Sequence, residues 1–279
     1  MLARLRAFIS AWRDYPREQG ELIGQRYEVL SRIGMGSYGL AYRCLDKRER
    51  RQVAVKQAKP SKRDAGKQML KRERDILKQL DHPYIPACRD YSEENGSAWL
   101  VTDYVEGYTL EQLIFEQGCI FREQDTLRFV LSLMERVNHV HERGFVHLDL
   151  RIPNIILRGN DIYLIDFGLA RRIGDDPLCN NGEAERDKDG LPKRMPASIQ
   201  SDLHDIGHLM LFMLYSGYTP TPGGAERSWS EELELTAGVR RILLRLLDEE
   251  SNPYAETQEF IRDARQALSE LDSSADLSK

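Results

Sequence analysis

His147-Leu-Asp-Leu-Arg-Ile-Pro-Asn154, followed by Asp166-Phe-Gly168, is the most informative part of this 279-residue sequence. Two short strand-like pieces separate the two motifs. Asn154 and Asp166 supply the oxygen ligands that Mg²⁺ prefers in proteins. Asp149 is a carboxylate of the kind that orients a hydroxyl group and accepts its proton. The residue types in this stretch are therefore suited to binding a metal ion and to acid–base chemistry.

A glycine-rich loop lies upstream, between two predicted strands. Gly34-Met-Gly-Ser-Tyr-Gly39 matches G-x-G-x-x-G, but a dinucleotide site needs a helix after it, and here a strand follows at 40–45. Such a loop can offer backbone N–H groups to phosphates, and a hairpin without a ligand is the alternative. The next predicted strand ends in Val53-Ala-Val-Lys56, and Glu73 on the following predicted helix can pair with that lysine.

The hydrophobic periodicity divides the chain into a mostly strand-like part, up to about residue 103, and a mainly helical part after Gly107. Strands are expected at 27–33, 40–45, 52–57, 86–92, 98–103, 155–157 and 162–165. Helices are expected at 62–80, 109–116, 122–143, 202–216, 236–248 and 256–271.

Taken in order, these motifs resemble the eukaryotic-type (Hanks-type) serine/threonine protein kinase family over roughly residues 27–268. The resemblance implies an α+β, bilobal fold, with a small antiparallel β-sheet lobe that carries one helix and a larger, mainly α-helical lobe. The compact size and the reduced activation segment suggest a bacterial member. The expected parts are an amphipathic extension (1–26), a small lobe (27–103), a hinge (104–107), a large lobe (108–271) and a C-terminal tail (272–279).

The resemblance also implies an activity, namely transfer of the γ-phosphoryl group of ATP to Ser or Thr hydroxyls of protein substrates, with Mg²⁺ or Mn²⁺. The catalytic residues that it implies are Asp149, Lys56, Glu73 and Arg151. The metal ligands that it implies are Asn154 and Asp166. The ATP-binding residues that it implies are Ile33, Gly34, Gly36, Gly39, Ala41, Ala54, Lys56, Thr102, Asp103, Val105 and Ile156. His147 is expected to be structural rather than a base.

Two departures from the family pattern concern phosphorylation. Leu148 stands where the family's H-R-D motif has an arginine that grips an activation-loop phosphate. Residues 167–197 contain no Ser, Thr or Tyr that could carry such a phosphate. Because both the receptor and the acceptor are missing, activity is predicted not to depend on activation-loop phosphorylation.

Other departures concern the segment after the metal-binding loop. Only Pro196-Ala-Ser198 stands near the place of the family's A-P-E motif, and Asn252 replaces the arginine that pairs with its glutamate. We therefore expect residues 171–201 to be rearranged, with a long polar loop at 174–194. Arg151 keeps the positive charge of the family's lysine. Asp202 is expected to brace the catalytic loop, to cap a helix, or both.

Two other functions remain open at this point. A small-molecule kinase of the H-x-D type is favoured by Leu148 and by the missing A-P-E motif, and it is opposed by Asp166-Phe-Gly-Leu-Ala170 and Val53-Ala-Val-Lys56. A pseudokinase scaffold that binds ATP without transferring phosphate is opposed by the complete set of catalytic and metal-binding residues.

Composition limits the partners and the location. A net charge of −5 argues against a protein that coats nucleic acid, so no nucleic-acid partner is expected. The four cysteines form no C-x-x-C pair, and a reduced, cytoplasmic setting is expected. Residues 1–13 place apolar side chains at helical spacing among arginines. That segment predicts either a basic amphipathic helix on a membrane surface or a partner, or a helix packed on the protein itself.

Overall fold

The computed structural model describes residues 16–36, 39–94, 97–175, 196–219, 227–247 and 252–276. Two expectations lie outside these residues, namely the amphipathic segment 1–13 and most of the polar loop 174–194. The chain forms two compact units. The first unit holds the described residues up to Glu106 together with Phe167–Leu169, and the second holds Gly107–Asp166 and the described residues from Ala170 onward.

The first unit is built on a six-stranded antiparallel sheet with the strand order β1-β2-β3-β4-β6-β5. The strands are β1 (Leu22–Ile23), β2 (Tyr27–Met35), β3 (Gly39–Asp46), β4 (Arg51–Ala58), β5 (Cys88–Glu94) and β6 (Ser97–Asp103). Burial alternates residue by residue along β3, as expected for a strand with one face on a core. That core includes Tyr27, Tyr42, Val53, Val55 and Val101.

Among the described residues of this unit, the one long helix is α1 (Arg63–Leu77), which packs on β4, β5 and β6. Its buried face carries Leu70, Glu73 and Leu77. These positions are spaced by three and four residues and therefore share one side of the helix. The sequence thus places one carboxylate within an apolar stripe that faces the sheet.

The sheet begins earlier than the sequence analysis expects. Strand β1 pairs with β2, and Ile23 is fully buried in the core. Ahead of β1, the Arg17 N–H donates a hydrogen bond to the Tyr42 hydroxyl at 3.0 Å. The structure therefore places residues 16–26 within the first unit, ahead of the expected boundary at Tyr27.

The second unit is mainly helical and carries two small sheets. Its helices are α2 (Leu110–Phe115), α3 (Glu123–Glu142), α4 (Ile199–Tyr215), α5 (Trp229–Glu232), α6 (Ala237–Leu246) and α7 (Thr257–Asp276). Its strands are β7 (Tyr108–Thr109), β8 (Phe145–Val146), β9 (Ile155–Arg158), β10 (Asp161–Leu164) and β11 (Arg171–Arg172). The strand orders are β10-β9-β7 and β11-β8. Helix α3 packs against α4 and α7, and α6 also packs against α4 and α7.

Within the described ranges, no helix has the length and apolar character needed to cross a membrane.

Candidate active site

In the first unit, the structure brings Lys56 and Glu73 together. The Lys56 Nζ donates to Glu73 Oε1 at 2.5 Å, and the Glu73 side chain is only 3% exposed. Lys56 lies on β4, opposite Ala41 of β3 and two residues after Ala54. Because side chains two residues apart share a face of a strand, Ala41, Ala54 and Lys56 line the same side of the sheet.

The glycine-rich loop begins at the end of β2. The Gly36 N–H donates to the Gly39 carbonyl at 3.0 Å, and the Lys59 Nζ donates to the Gly36 carbonyl at 2.7 Å. A Cβ on Gly39 would lie 2.9 Å from the Gln57 carbonyl oxygen, so the close backbone approach requires glycine there. Ile33, an expected ATP-binding residue, is 47% exposed. Residues 37–38 lie outside the described part of the loop.

Three expected ATP-binding residues, Thr102, Asp103 and Val105, lie at the end of β6 or just after it. Asp103 accepts two hydrogen bonds from Arg89, from Nε at 2.6 Å and from Nη2 at 2.7 Å, and a third from the Ala87 N–H at 3.2 Å. Thr102 pairs with Ala54 across the sheet, and Val105 is buried. The Asp103 side chain thus fixes the end of β6 to the start of β5. Arg89 was not among the expected site residues. Its contact with Asp103 depends on the pairing of β5 with β6, which no motif in the sequence indicates.

In the second unit, Asp149 is held by two neighbours in the catalytic loop. The Asn154 Nδ2 donates to Asp149 Oδ2 at 2.7 Å and to the Asp149 carbonyl at 2.9 Å. The Arg151 Nε contacts Asp149 Oδ1 at 2.5 Å, and Nη2 contacts Oδ2 at 3.0 Å. The Asp149 carboxylate is therefore oriented by one amide and one guanidinium group.

The two expected metal ligands are neighbours in space. The Asn154 carbonyl accepts a hydrogen bond from the Ile165 N–H at 3.0 Å, which places Asp166 beside the catalytic loop. Since the Asn154 Nδ2 is used on Asp149, its Oδ1 is the amide atom suited to a cation. An amide oxygen and a carboxylate form a donor set that fits Mg²⁺. Ile156, an expected ATP contact, follows in β9, where it pairs with Thr109 of β7.

His147 is completely buried, and its Nε2 lies 3.1 Å from the Ile165 carbonyl. Burial lowers the pKa of the imidazole, against the opposing influence of Asp202, Asp149 and Asp166. A neutral ring that is bonded to the backbone links the catalytic loop to the metal-binding loop. This geometry suits the structural role that was expected for His147.

Asp202 of α4 is fully buried and accepts hydrogen bonds from the catalytic-loop backbone. Its Oδ2 accepts from the His147 N–H at 2.9 Å, and its Oδ1 accepts from the Leu148 N–H at 2.7 Å. The His141 Nε2 lies 2.8 Å from Oδ2. Asp202 thus braces the catalytic loop, which was one of the two expectations, but it does not cap the helix. The cap is Ser198, whose side chain accepts from the Ser201 N–H, and α4 therefore starts three residues before Asp202.

A buried arginine, Arg245 on α6, lies near the position where the family's pairing arginine was expected. It binds Glu259 at 2.5 Å and Asp263 at 2.9 Å, both on α7, and its Nε donates to the Asn252 carbonyl at 2.9 Å. The absence of the A-P-E glutamate thus leaves no uncompensated charge on Arg245, because α7 supplies the carboxylates. This network was not predicted, because the sequence pattern placed the pairing arginine at position 252, where Asn252 stands.

Comparisons with known proteins agree with this geometry. Residues 27–269 match the family model of the protein kinase domain. The chain is 32% identical to the probable serine/threonine-protein kinase YbdM of Bacillus subtilis, over 91% of this chain and 94% of that protein. It is 29% identical to the probable serine/threonine-protein kinase pknA2 of Bifidobacterium longum, over 73% of this chain and 28% of that protein.

The fold is similar to that of the Mycobacterium tuberculosis PknI kinase domain, with a TM-score of 0.65 and 21% identity over 90% of this chain and 99% of that one. The expected α+β architecture, with a small antiparallel sheet and a larger helical part, is confirmed. The five sequence motifs, the fold and the family match agree, and the chain therefore belongs to the protein kinase family.

Proposed function

We propose that this protein kinase transfers the γ-phosphoryl group of ATP to Ser or Thr hydroxyls of protein substrates, with Mg²⁺ or Mn²⁺ as the bound cation. The observation that carries the proposal is the Asp149–Asn154–Asp166 arrangement, in which an oriented carboxylate adjoins two oxygen ligands. The relatives named as serine/threonine-protein kinases support a protein acceptor over a small-molecule one.

Each unit contributes chemistry that phosphoryl transfer needs. In the first unit, Glu73 holds the Lys56 ammonium, and we infer that Lys56 binds the α- and β-phosphates while the glycine-rich loop offers backbone N–H groups. In the second unit, Asn154 and Asp166 would hold the cation. When bound, that ion would neutralise phosphate charge. Asp149 Oδ1 and Oδ2, fixed by Arg151 and Asn154, orient the acceptor hydroxyl and take its proton.

Independence from activation-loop phosphorylation is part of the proposal. Leu148 has no charged group to bind a phosphate, and its backbone is held by Asp202 instead. Arg172, at the start of the segment, lies 5.0 Å from the Phe145 ring centre, and β11 pairs with β8. These contacts hold Arg171 and Arg172, the first described residues of the activation segment, next to the catalytic loop. They require no phosphorylated residue.

The test is phosphate transfer from labelled ATP, with Mg²⁺ or Mn²⁺, to the protein itself or to a generic basic protein. Asp149→Asn and Lys56→Ala should each abolish transfer. Label on a small metabolite alone would favour the small-molecule kinase, and ATP binding without transfer would favour the pseudokinase.

Phosphatase treatment of the purified protein tests whether activity is independent of activation-loop phosphorylation. The treated and untreated samples should transfer phosphate at the same rate, because no Ser, Thr or Tyr lies between 167 and 197. A large fall in rate after treatment would contradict this independence.

A further inference from the structure

Helix α4 carries a second acidic side chain, Asp205, three residues after Asp202 and on the same side of the helix. Its Oδ2 accepts a hydrogen bond from the Leu150 N–H at 3.1 Å. Leu150 directly follows Asp149, and its own side chain is buried. Asp205 therefore contacts the catalytic loop at the residue next to the expected base.

The two carboxylates of α4 together accept three backbone N–H groups of the loop. Asp202 accepts those of His147 and Leu148, and Asp205 accepts that of Leu150. These amides lie on both sides of Asp149. Asp202 alone would fix the loop only ahead of Asp149, whereas the bond from the Leu150 N–H to Asp205 fixes the main chain after it.

The surroundings of Asp205 do not favour a negative charge. Burial is the main influence that raises its pKa, to about 7, and the Leu150 N–H works against burial. Asp202 on the same helix and Asp149 on the loop raise the pKa further, whereas Arg151 lowers it. A carboxylate beside two other acids and one arginine contributes little to the stability of the fold. A role in the phosphoryl-transfer reaction would explain why an aspartate stands at this position.

We propose that Asp205 is a positioning residue for phosphoryl transfer, which holds the Leu150 N–H and so keeps the Asp149 carboxylate directed at the acceptor hydroxyl. This inference rests on the proposed function. A misplacement of about 1 Å in a catalytic group can lower the reaction rate by about a hundredfold. Binding of ATP to Lys56 does not involve this bond, so the inference predicts an effect on kcat rather than on the KM for ATP.

The experiment compares Asp205→Ala, Asp205→Asn and a matched control in the full chain. Asp205→Ala removes the acceptor of the Leu150 N–H, and kcat should fall by about tenfold or more while the KM for ATP stays within about twofold. Asp205→Asn keeps an oxygen acceptor without the charge, so its kcat should lie between those of Asp205→Ala and the wild type, at about a third of the wild-type value at about pH 8.5. The control is Asp263→Ala, a half-buried carboxylate whose bonds go to Arg245 and Tyr254. It should lower the melting temperature and leave kcat unchanged.

Several outcomes would overturn the inference. A wild-type protein without phosphate transfer removes the proposed function and the inference together. An active wild type with an equally active Asp205→Ala removes the inference alone, as does Asp205→Asn being as impaired as Asp205→Ala.

If Asp205→Ala does not fold, the inference is tested by the pH dependence of kcat in Asp205→Asn and in the wild type. The ratio of wild-type kcat to Asp205→Asn kcat should be about three at about pH 8.5 and approach one at about pH 6, where the wild-type carboxyl is also neutral. A constant ratio over this range would exclude the positioning role.

Discussion

Two residues at the active site have a backbone conformation that residues other than glycine rarely adopt. Leu148 in the catalytic loop has φ +61°, and Asp166 in the metal-binding loop has φ +64°. Such conformations cost about 1–3 kcal/mol each and persist only where surrounding contacts hold them. Asp202 binds the Leu148 N–H, and the Ile165 N–H binds the Asn154 carbonyl. Part of the folding free energy thus holds the loop carrying Asp149 in a conformation that it would not adopt alone.

The Lys56–Glu73 pair gives a prediction for a single residue. Glu73→Gln preserves the side-chain volume but removes the charge that holds the Lys56 ammonium. A charge-assisted hydrogen bond contributes about 1.5–3 kcal/mol, so kcat/KM for ATP should fall by about tenfold or more. Steady-state kinetics over a range of ATP concentrations measures this fall. Glu93→Gln, an exposed position on β5 that binds the Tyr91 hydroxyl, is the control. An unchanged kcat/KM in Glu73→Gln would show that the pair is not used.

Helix α4 is the element that joins the catalytic loop to the helical core. Its polar residues Asp202 and Asp205 bind the loop, and Gly207 lies against the end of α6. A Cβ on Gly207 would lie 2.9 Å from both Leu246 Cβ and Leu247 Cδ2. The loop is thus held by a helix whose own position depends on a close helix–helix contact.

Gly207→Ala tests this contact. Alanine normally stabilises a helix interior relative to glycine by about 1 kcal/mol, but here the added methyl group overpacks the contact with α6. The variant should lower the free energy of unfolding by about 1–3 kcal/mol, measured by urea denaturation. Gly238→Ala on α6 is the control, because its Cβ would come no closer to a neighbouring heavy atom than 3.3 Å, the distance to Ala267 Cβ. A stabilised Gly207→Ala would show that α4 and α6 can move apart at little cost.

The sequence predicts long elements well and short ones poorly. Helix α3 was expected at 122–143 and spans Glu123–Glu142. Helix α4 starts earlier than expected, because Ser198 caps it. Strands β7, β8 and β11 were missed, since two residues carry no measurable periodicity.

The same distinction applies to the active site. Motifs identified Lys56, Asp149 and Asn154, because local spacing relates them to known chemistry. Asp205 was missed, because its contact with Leu150 joins residues 55 positions apart in the chain. Contacts of this kind depend on tertiary packing, which a single sequence does not display.

For the molecule as a whole, Asp205 links stability to pH. In the unfolded chain an aspartate has a pKa of about 3.9, whereas burial raises the pKa of Asp205 to about 7 in the folded protein. A raised pKa in the folded state means that the folded protein binds the proton more tightly. The stability that this group contributes is therefore fully present below about pH 4 and is lost as the pH rises through about 7.

Asp205→Asn should therefore stabilise the protein where the wild-type carboxyl is ionised. At about pH 8.5 the variant should melt a few degrees above the wild type, and the difference should shrink as the pH falls from about 7 toward about 4. Thermal unfolding followed by circular dichroism at several pH values measures this difference. Asp263→Asn is the control, because it weakens a pairing with Arg245 and should lower the melting temperature at about pH 8.5. A variant that is more stable at alkaline pH yet transfers phosphate more slowly would show that Asp205 favours activity over stability. A variant less stable than the wild type at every pH would instead mean that the ionised carboxyl stabilises the fold.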